Sequence, residues 1–273
     1  MILLGTGTPN AEPDRSGPSI AVLVDKRPYL IDCGPGVVRS AARAFEKGLK
    51  GLSPVRLNTL FITHLHSDHT LGLPDLIFTP WVLGRKVPLK IFGPPGTAAM
   101  AKNILRAWKD DIRVRTKGLE KANRTGYRVR IKEVGEEKVY EDDLLKVSSF
   151  RVEHGDWDHA LGYRFEGPDR TVVISGDCRL SDSSVENYRG CDVLIHEAYC
   201  QRTFDSRPEG WKAYHKSAHT STIELGKIAN EVKPGVLVLT HQLPWGATPD
   251  EMIEEVRSVY DGDVRFGTDL DVI

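Results

Sequence analysis

The residues with the most chemistry in this 273-residue chain are His64-Leu65-His66-Ser67-Asp68-His69, directly after the apolar run LNTLFIT. In an extended segment His64 and His66 project to one side. A turn into a helix then lets Asp68 and His69 point at a second position nearby. Neutral imidazoles with a carboxylate are the donors that Zn2+ and similar borderline cations take. Four ligands do not complete two metal positions, so the rest must come from elsewhere in the chain. His154 after SSFRVE, Asp177 after TVVISG and His241 after VLVLT share one placement, the end of an apolar strand. Each alone reads more readily as a structural residue; together they supply the missing count. His64, His66 and His154 would then serve one ion, Asp68, His69 and His241 the other, with Asp177 bridging. Two ions about 3.5–4 Å apart can share a hydroxide and clamp both the attacking and the leaving oxygen. Asp68, beside that hydroxide, would orient it or accept its proton.

THLHSDH, RVEH, ISGD and LTH stand in this order along the chain, and with them it resembles the metallo-β-lactamase superfamily over essentially its whole length. The resemblance implies an α/β fold, a four-layer αββα sandwich with a dinuclear zinc site at one edge. Ligand types alone also admit Mn2+ or Fe2+. It further implies that Asp32, in LIDCGPG, supports the ligands from behind. The opening GTGTPNAEPDRSGPS, with IHEA at 195–198 and AHT at 218–220, is similar to the branch holding ribonuclease Z and the zinc-dependent arylsulfatases. In that branch His219 would give a proton to the departing oxygen and Glu197 would orient or recharge it. A histidine–carboxylate couple independently keeps an imidazole protonated near neutral pH. His159, His196 and His215 are weaker candidates, His159 alone being placed to line the site. Trp157 and Trp245 read as packing residues, or as surfaces that stack on an aryl group or a base.

These residues need strands to end at them. Ser19–Asp25 and Arg27–Asp32 read as a hairpin with a tight turn at Asp25–Lys26. Gly34-Pro35-Gly36 opens a helix over Val37–Lys47 that Gly48 stops. Leu57–His64 and Leu89–Gly93 read as strands, with helices over Leu71–Leu83 and about Pro95–Trp108. Tyr127–Phe165 is strand-rich. Strands at Arg170–Ser175, Asp192–His196, Val236–Thr240 and Val264–Gly267 follow, with helices at Ser221–Glu231 and Pro249–Val259. No linker, repeat or low-complexity tract interrupts them, so residues 1–273 read as one layered domain. Gly93-Pro94-Pro95-Gly96-Thr97 only begins like a phosphate-binding loop, because no lysine follows where one is required.

Lys plus Arg number 37 against 38 Asp plus Glu, a net charge of −1 that excludes a globally basic protein. Apolar stretches are strand-sized, so no membrane span is expected. The four cysteines show no pairing rhythm, which fits reduced thiols and a cytoplasmic location. Residues Lys102–Lys132 nevertheless hold eleven Lys/Arg against three acids, a local +8, followed by Glu133, Glu136, Glu137, Glu141, Asp142 and Asp143. The stretch reads as a solvated, charge-compensated surface, or as a lip that steers anionic substrates. Ribonuclease Z carries a basic arm between the third histidine motif and the bridging aspartate. Only 22 residues lie between His154 and Asp177 here, and strands occupy much of that gap. The missing arm and the balanced charge favour hydrolysis of small anionic sulfate or phosphate esters, in the manner of an arylsulfatase or phosphodiesterase. Processing of tRNA 3′ ends, a lactonase or β-lactamase activity, and a non-catalytic binding role remain as alternatives. The resemblance also makes a homodimer the expected assembly.

Overall fold

Alternating apolar and polar residues with tight turns make hairpins first, and the N-terminal third is built that way. The computed structural model describes all residues 1–273. Strands β1 (Ile2–Gly5), β2 (Ser19–Val24) and β3 (Arg27–Ile31) pair antiparallel. The β2–β3 turn is Asp25–Lys26, with φ of 44° and 61° at the two residues, as the expected two-residue hairpin requires. Helix α1 (Val37–Glu46) starts after Gly36, and Gly48 follows it at φ 104°. The run around Leu57–His64 yields only a short strand β4 (Thr59–Phe61), and its remaining residues run on as loop toward the histidines. The helix expected over Leu71–Leu83 begins earlier, as α2 (Ser67–Thr70), and resumes as α3 (Leu73–Val82). Strand β5 (Leu89–Gly93), helices α4 (Thr97–Ala107) and α5 (Lys109–Lys117) and strand β6 (Val129–Glu133) complete a six-stranded sheet in the order β1-β2-β3-β4-β5-β6. Its core gathers Leu30, Leu60, Ile62, Leu76, Trp81 and Ile91.

The second sheet starts with β7 (Lys138–Glu141), β8 (Lys146–His154), β9 (Trp157–Glu166) and β10 (Thr171–Ile174), all antiparallel neighbours. After α6 (Ser184–Tyr188) the chain enters β11 (Val193–Tyr199), α7 (Gln201–Asp205), α8 (Glu209–Ala218) and α9 (Thr222–Val232). Strand β12 (Val236–Leu243), helix α10 (Pro249–Arg257) and strand β13 (Val264–Phe266) close a seven-stranded sheet, β13-β12-β11-β10-β9-β8-β7. Capping boxes at Ser221 and Thr248 start α9 and α10. Its core holds Val173, Leu194, Leu225, Leu237, Leu239 and Met252. The chain divides into two compact units, residues 1–134 with 269–273, and residues 135–268, one sheet in each.

All four cysteines are buried and free. No helix is long and apolar enough to cross a membrane. The Gly93–Thr97 turn is a strand-to-helix junction whose anion position is taken by Glu133: its carboxylate accepts hydrogen bonds from the Gly96 and Ala98 amides, each 2.9 Å.

Candidate functional site

In the first unit the ends of β3 and β4 place Asp32 beside the histidine motif. Asp32 sits at φ 57° and turns its carboxylate inward, where it is 5% exposed. One oxygen accepts from the Thr63 amide (2.8 Å); the other accepts from the Thr63 hydroxyl (2.8 Å) and from His69 Nδ1 (2.8 Å). The Thr63 hydroxyl spends its single proton on Asp32, so its lone pair accepts from His64 Nδ1 at 3.0 Å. One carboxylate thereby fixes the tautomers of His69 directly and of His64 through Thr63. Both rings are left to offer Nε2 lone pairs. His64 Nε2 faces His66 Nδ1 at 2.8 Å, and Asp68 Oδ2 lies 3.5 Å from His69 Nε2. His64, Asp68 and His69 are buried, while His66 is half-buried at the start of α2.

In the second unit four strands of one sheet, and the segments leaving them, deliver the other candidates. His154 ends β8, and its Nδ1 donates to the Ala218 carbonyl at 2.7 Å, again leaving Nε2 as a lone pair. Asp177 follows β10 across Gly176, which takes φ 65°. His241 lies within β12 at φ 45°, where the pairing with β11 slips past one residue. This bulge brings His241 Nε2 to 3.4 Å from Asp177 Oδ2. His219 ends α8, its ring stacked 5.9 Å from that of His241. Its Nδ1 is 3.3 Å from Glu197 Oε2, and the other Glu197 oxygen accepts from the Thr220 amide at 2.7 Å. Burial pushes the Glu197 carboxyl up from its ordinary range, opposed by the neighbouring His219. Ligand atoms of His154, Asp177 and His219 all lie within 4.8 Å of one another.

Each unit thus holds a cluster that could hold a metal ion. The donors suit a borderline divalent cation: neutral imidazoles with fixed tautomers and buried carboxylates. Two imidazole nitrogens facing at 2.8 Å need a proton or a cation between them. Burial pushes the Cys178 thiol far up in the metal-free protein.

Other candidates serve elsewhere. His196 bonds Tyr188 (3.1 Å) and the Glu197 carbonyl (2.7 Å) in the interior. His159 is exposed on β9, and Trp157 packs on the core of its unit. Trp245 lies against Tyr199 (5.8 Å) and His215 (4.5 Å). Sequence reading missed Thr63 and Thr220; their adjacency to His64 and His219 was the available signal. It also missed Arg207, Trp211 and Tyr214, on elements it did not foresee.

Residues 27–242 match the family described as a beta-lactamase superfamily domain. The chain belongs to the metallo-β-lactamase superfamily and has its fold, the α/β class expected. Ribonuclease Z of Mycobacterium bovis (strain BCG / Pasteur 1173P2) is 33% identical over 275 residues, covering 99% of this chain and 96% of that protein. Ribonuclease Z of Mycobacterium sp. (strain KMS) is 33% identical over 289 residues, covering 99% and 94%. Among solved structures, human tRNase Z, short form, shares the fold with a TM-score of 0.73 at 23% identity, over 99% of this chain and 97% of that one. At the coarse level the chain is a metal-dependent hydrolase of this superfamily.

The expected arylsulfatase- or phosphodiesterase-like action on small anionic sulfate or phosphate esters is overturned by these relatives, which bear the name ribonuclease Z end to end. The argument from the missing arm fails for a plain reason. An alignment of 275 positions that covers 99% of this chain and 96% of the relative leaves no room for an arm in either. The argument from net charge fails as well, since a phosphate backbone meets a local surface and not a sum over the chain.

Proposed function

We propose that this protein is a ribonuclease Z-type endoribonuclease that hydrolyses a phosphodiester at the 3′ end of precursor tRNA, using two zinc ions. The observation that carries the reading is the full-length likeness, at 33% identity, to proteins named ribonuclease Z. Residues 27–242 of the superfamily match run across both units, which supports taking 1–273 as one functional domain.

In this reading His64, His66, Asp68, His69, His154, Asp177 and His241 are the residues that would hold the two ions. Bound there, the ions supply Lewis acidity toward the phosphate and activate water as the nucleophile. Asp32 and Thr63 hold the imidazoles of His64 and His69 in the tautomer that binds metal. Asp68 orients the attacking water and takes up its proton. His219 gives a proton to the departing oxygen, and the buried Glu197 holds its ring in place. RNA is the partner, and its backbone meets the basic surface of α4, α5 and β6, where Lys102, Arg106, Lys109, Lys117 and Lys132 are exposed.

The test is a kinetic comparison, on zinc-loaded protein, of precursor tRNA with an aryl sulfate, an aryl phosphodiester, a lactone and a β-lactam. Cleavage of precursor tRNA at its 3′ end should exceed every other activity by orders of magnitude in kcat/KM and vanish in His64→Ala. Faster turnover of any small ester than of precursor tRNA would refute the proposal.

A further inference from the structure

Helix α8 carries an open aromatic cluster directly before His219. The Trp211 ring stacks on His215 (5.6 Å between centroids, 21° between planes), and His215 lies 4.5 Å from the Trp245 ring. The Arg207 guanidinium stands over both indoles, 4.8 Å from Trp245 and 5.8 Å from Trp211. Trp211 remains 52% exposed and Tyr214, edge-on to it at 6.0 Å, 44% exposed. Leaving two large aromatic faces in water is costly, because each forfeits much of the gain from burial.

Three buried polar atoms of the cluster are also unsatisfied. Arg207 Nε is buried without a hydrogen-bond partner, and so are both ring nitrogens of His215, a residue only 6% exposed. Native interiors rarely leave such groups unpaired. Burial and the nearby His219 and Arg207 hold His215 down at about 4, so its ring is a neutral wall at neutral pH. The cluster therefore offers a half-open π surface, with a guanidinium donor at its edge and a neutral imidazole behind. A nucleotide offers a planar ring for the exposed Trp211 surface and acceptor oxygens for the Arg207 guanidinium. The His215 ring is 5.7 Å from that of His219, the proposed proton donor to the departing oxygen.

We propose that Arg207, Trp211, His215 and Trp245 form a nucleotide subsite for the residue that carries the departing oxygen. Its base stacks on Trp211, and Arg207 binds an acceptor oxygen of the same nucleotide. This rests on the reading of RNA as the substrate, and it gives the strand a base-stacking contact beside the proposed proton donor. Stacking on an aromatic side chain accepts every base, so the subsite holds the strand in place with little sequence preference.

Adenosine 3′-monophosphate and ribose 3-phosphate are suitable probes, since neither contains a diester to cleave, only one has a base, and both join the phosphate to the 3′-oxygen that departs. Both should reach the metal cluster through phosphate, so their affinity ratio isolates the base. With the zinc-loaded protein, quenching of tryptophan fluorescence should show adenosine 3′-monophosphate binding about tenfold tighter than ribose 3-phosphate. Trp211→Ala, at an exposed position, should bring the ratio to about one, and Trp211→Phe should keep most of it. Arg207→Gln should weaken the nucleotide severalfold. Equal affinities in the wild type, or a ratio that survives Trp211→Ala, would overturn the subsite. Base-dependent binding without cleavage of precursor tRNA would leave the subsite standing and remove the nuclease reading. Cleavage with a ratio near one would do the reverse.

Discussion

Asp32 shows how one side chain can prepare several ligands. Its two oxygens accept from the Thr63 amide, the Thr63 hydroxyl and His69 Nδ1, and Thr63 passes the constraint on to His64. Asn in its place would present a donor to at least one of those donors and push the His69 proton onto Nε2, the atom needed for metal. Asp32→Asn should therefore lower zinc affinity about 10–100-fold in a chelator competition while leaving the circular dichroism spectrum intact. Unchanged affinity would show that the tautomer is set by other means. Thr63→Val, which leaves the His69 contact in place, should cost less. A second residue-scale expectation concerns acid stability. Burial lowers His196 from 6.5 to about 4, so the unfolded chain binds a proton there before the folded one does. For a base with a depressed folded value, stability is full above about pH 6.5 and falls as pH drops toward 4. The loss between pH 7.5 and 5 should reach about 2 kcal/mol from this group. Urea unfolding of His196→Gln should be weaker at pH 7.5 yet decline less steeply across that interval. A slope equal to the wild type would place the acid sensitivity in other groups.

The loop after β3 is held against the metal-binding loop by backbone contact, and this decides which glycines matter. The Cys33 amide donates to the His69 carbonyl (2.9 Å) and the Gly34 amide to the Pro18 carbonyl (3.0 Å). A Cβ on Gly34 would stand 2.4 Å from the Gly17 carbonyl carbon and 2.6 Å from the Asp68 carbonyl oxygen, both backbone atoms. Gly48, at φ 104°, has nothing within 4 Å of its Cβ position. Gly48→Ala should thus cost about 1 kcal/mol of stability and leave zinc affinity alone. Gly34→Ala should cost about 1–3 kcal/mol and weaken zinc binding as well, because the chain that carries Asp68 must move. Calorimetry with a parallel zinc titration separates the two, and equal effects on zinc would discard the idea. Elements such as β2, β3, α1, β5 and α9 are legible in the sequence because their signals are local: alternation, a tight turn, glycine stops, a capping box. Helices α7 and α8 are not, because Gln201–Ala218 mixes short polar runs with exposed aromatics and shows no clean apolar stripe. The site follows the same division. Its ligands announce themselves by type at strand ends, whereas Arg207 and Trp211 acquire meaning only once α8 folds and brings them beside Trp245. Helix α5 was missed for a related reason, since it buries no residue.

At the scale of the molecule, the charge balance of 37 against 38 conceals how the charges are used. Three of the acids after the basic stretch are engaged close to home. Glu133 caps the start of α4, Glu141 pairs with Lys138, and Asp142 accepts from Tyr140 and from the amides of Leu144 and Leu145. Within the stretch, Arg115 is paired with Asp111 and Glu120, and Arg113 lies 3.5 Å from Asp110. Lys102, Arg106, Lys109 and Lys117 remain as exposed cations on α4 and α5. A phosphate backbone contacted by these side chains would release its counterions on binding, and affinity would fall steeply with salt. Each neutralised contact contributes about 0.7–0.9 to the slope of log affinity against log salt. Replacing all four with Gln should reduce the salt slope of kcat/KM for precursor tRNA by about 3 and lower the low-salt rate. Hydrolysis of a neutral aryl ester, if measurable, should be unaffected, because the metal ligands are untouched. An unchanged slope would mean that RNA meets another face, and the positive stretch would then be only a solvated surface. A slope that falls while activity on small substrates persists would make this surface the counterpart of the absent basic arm.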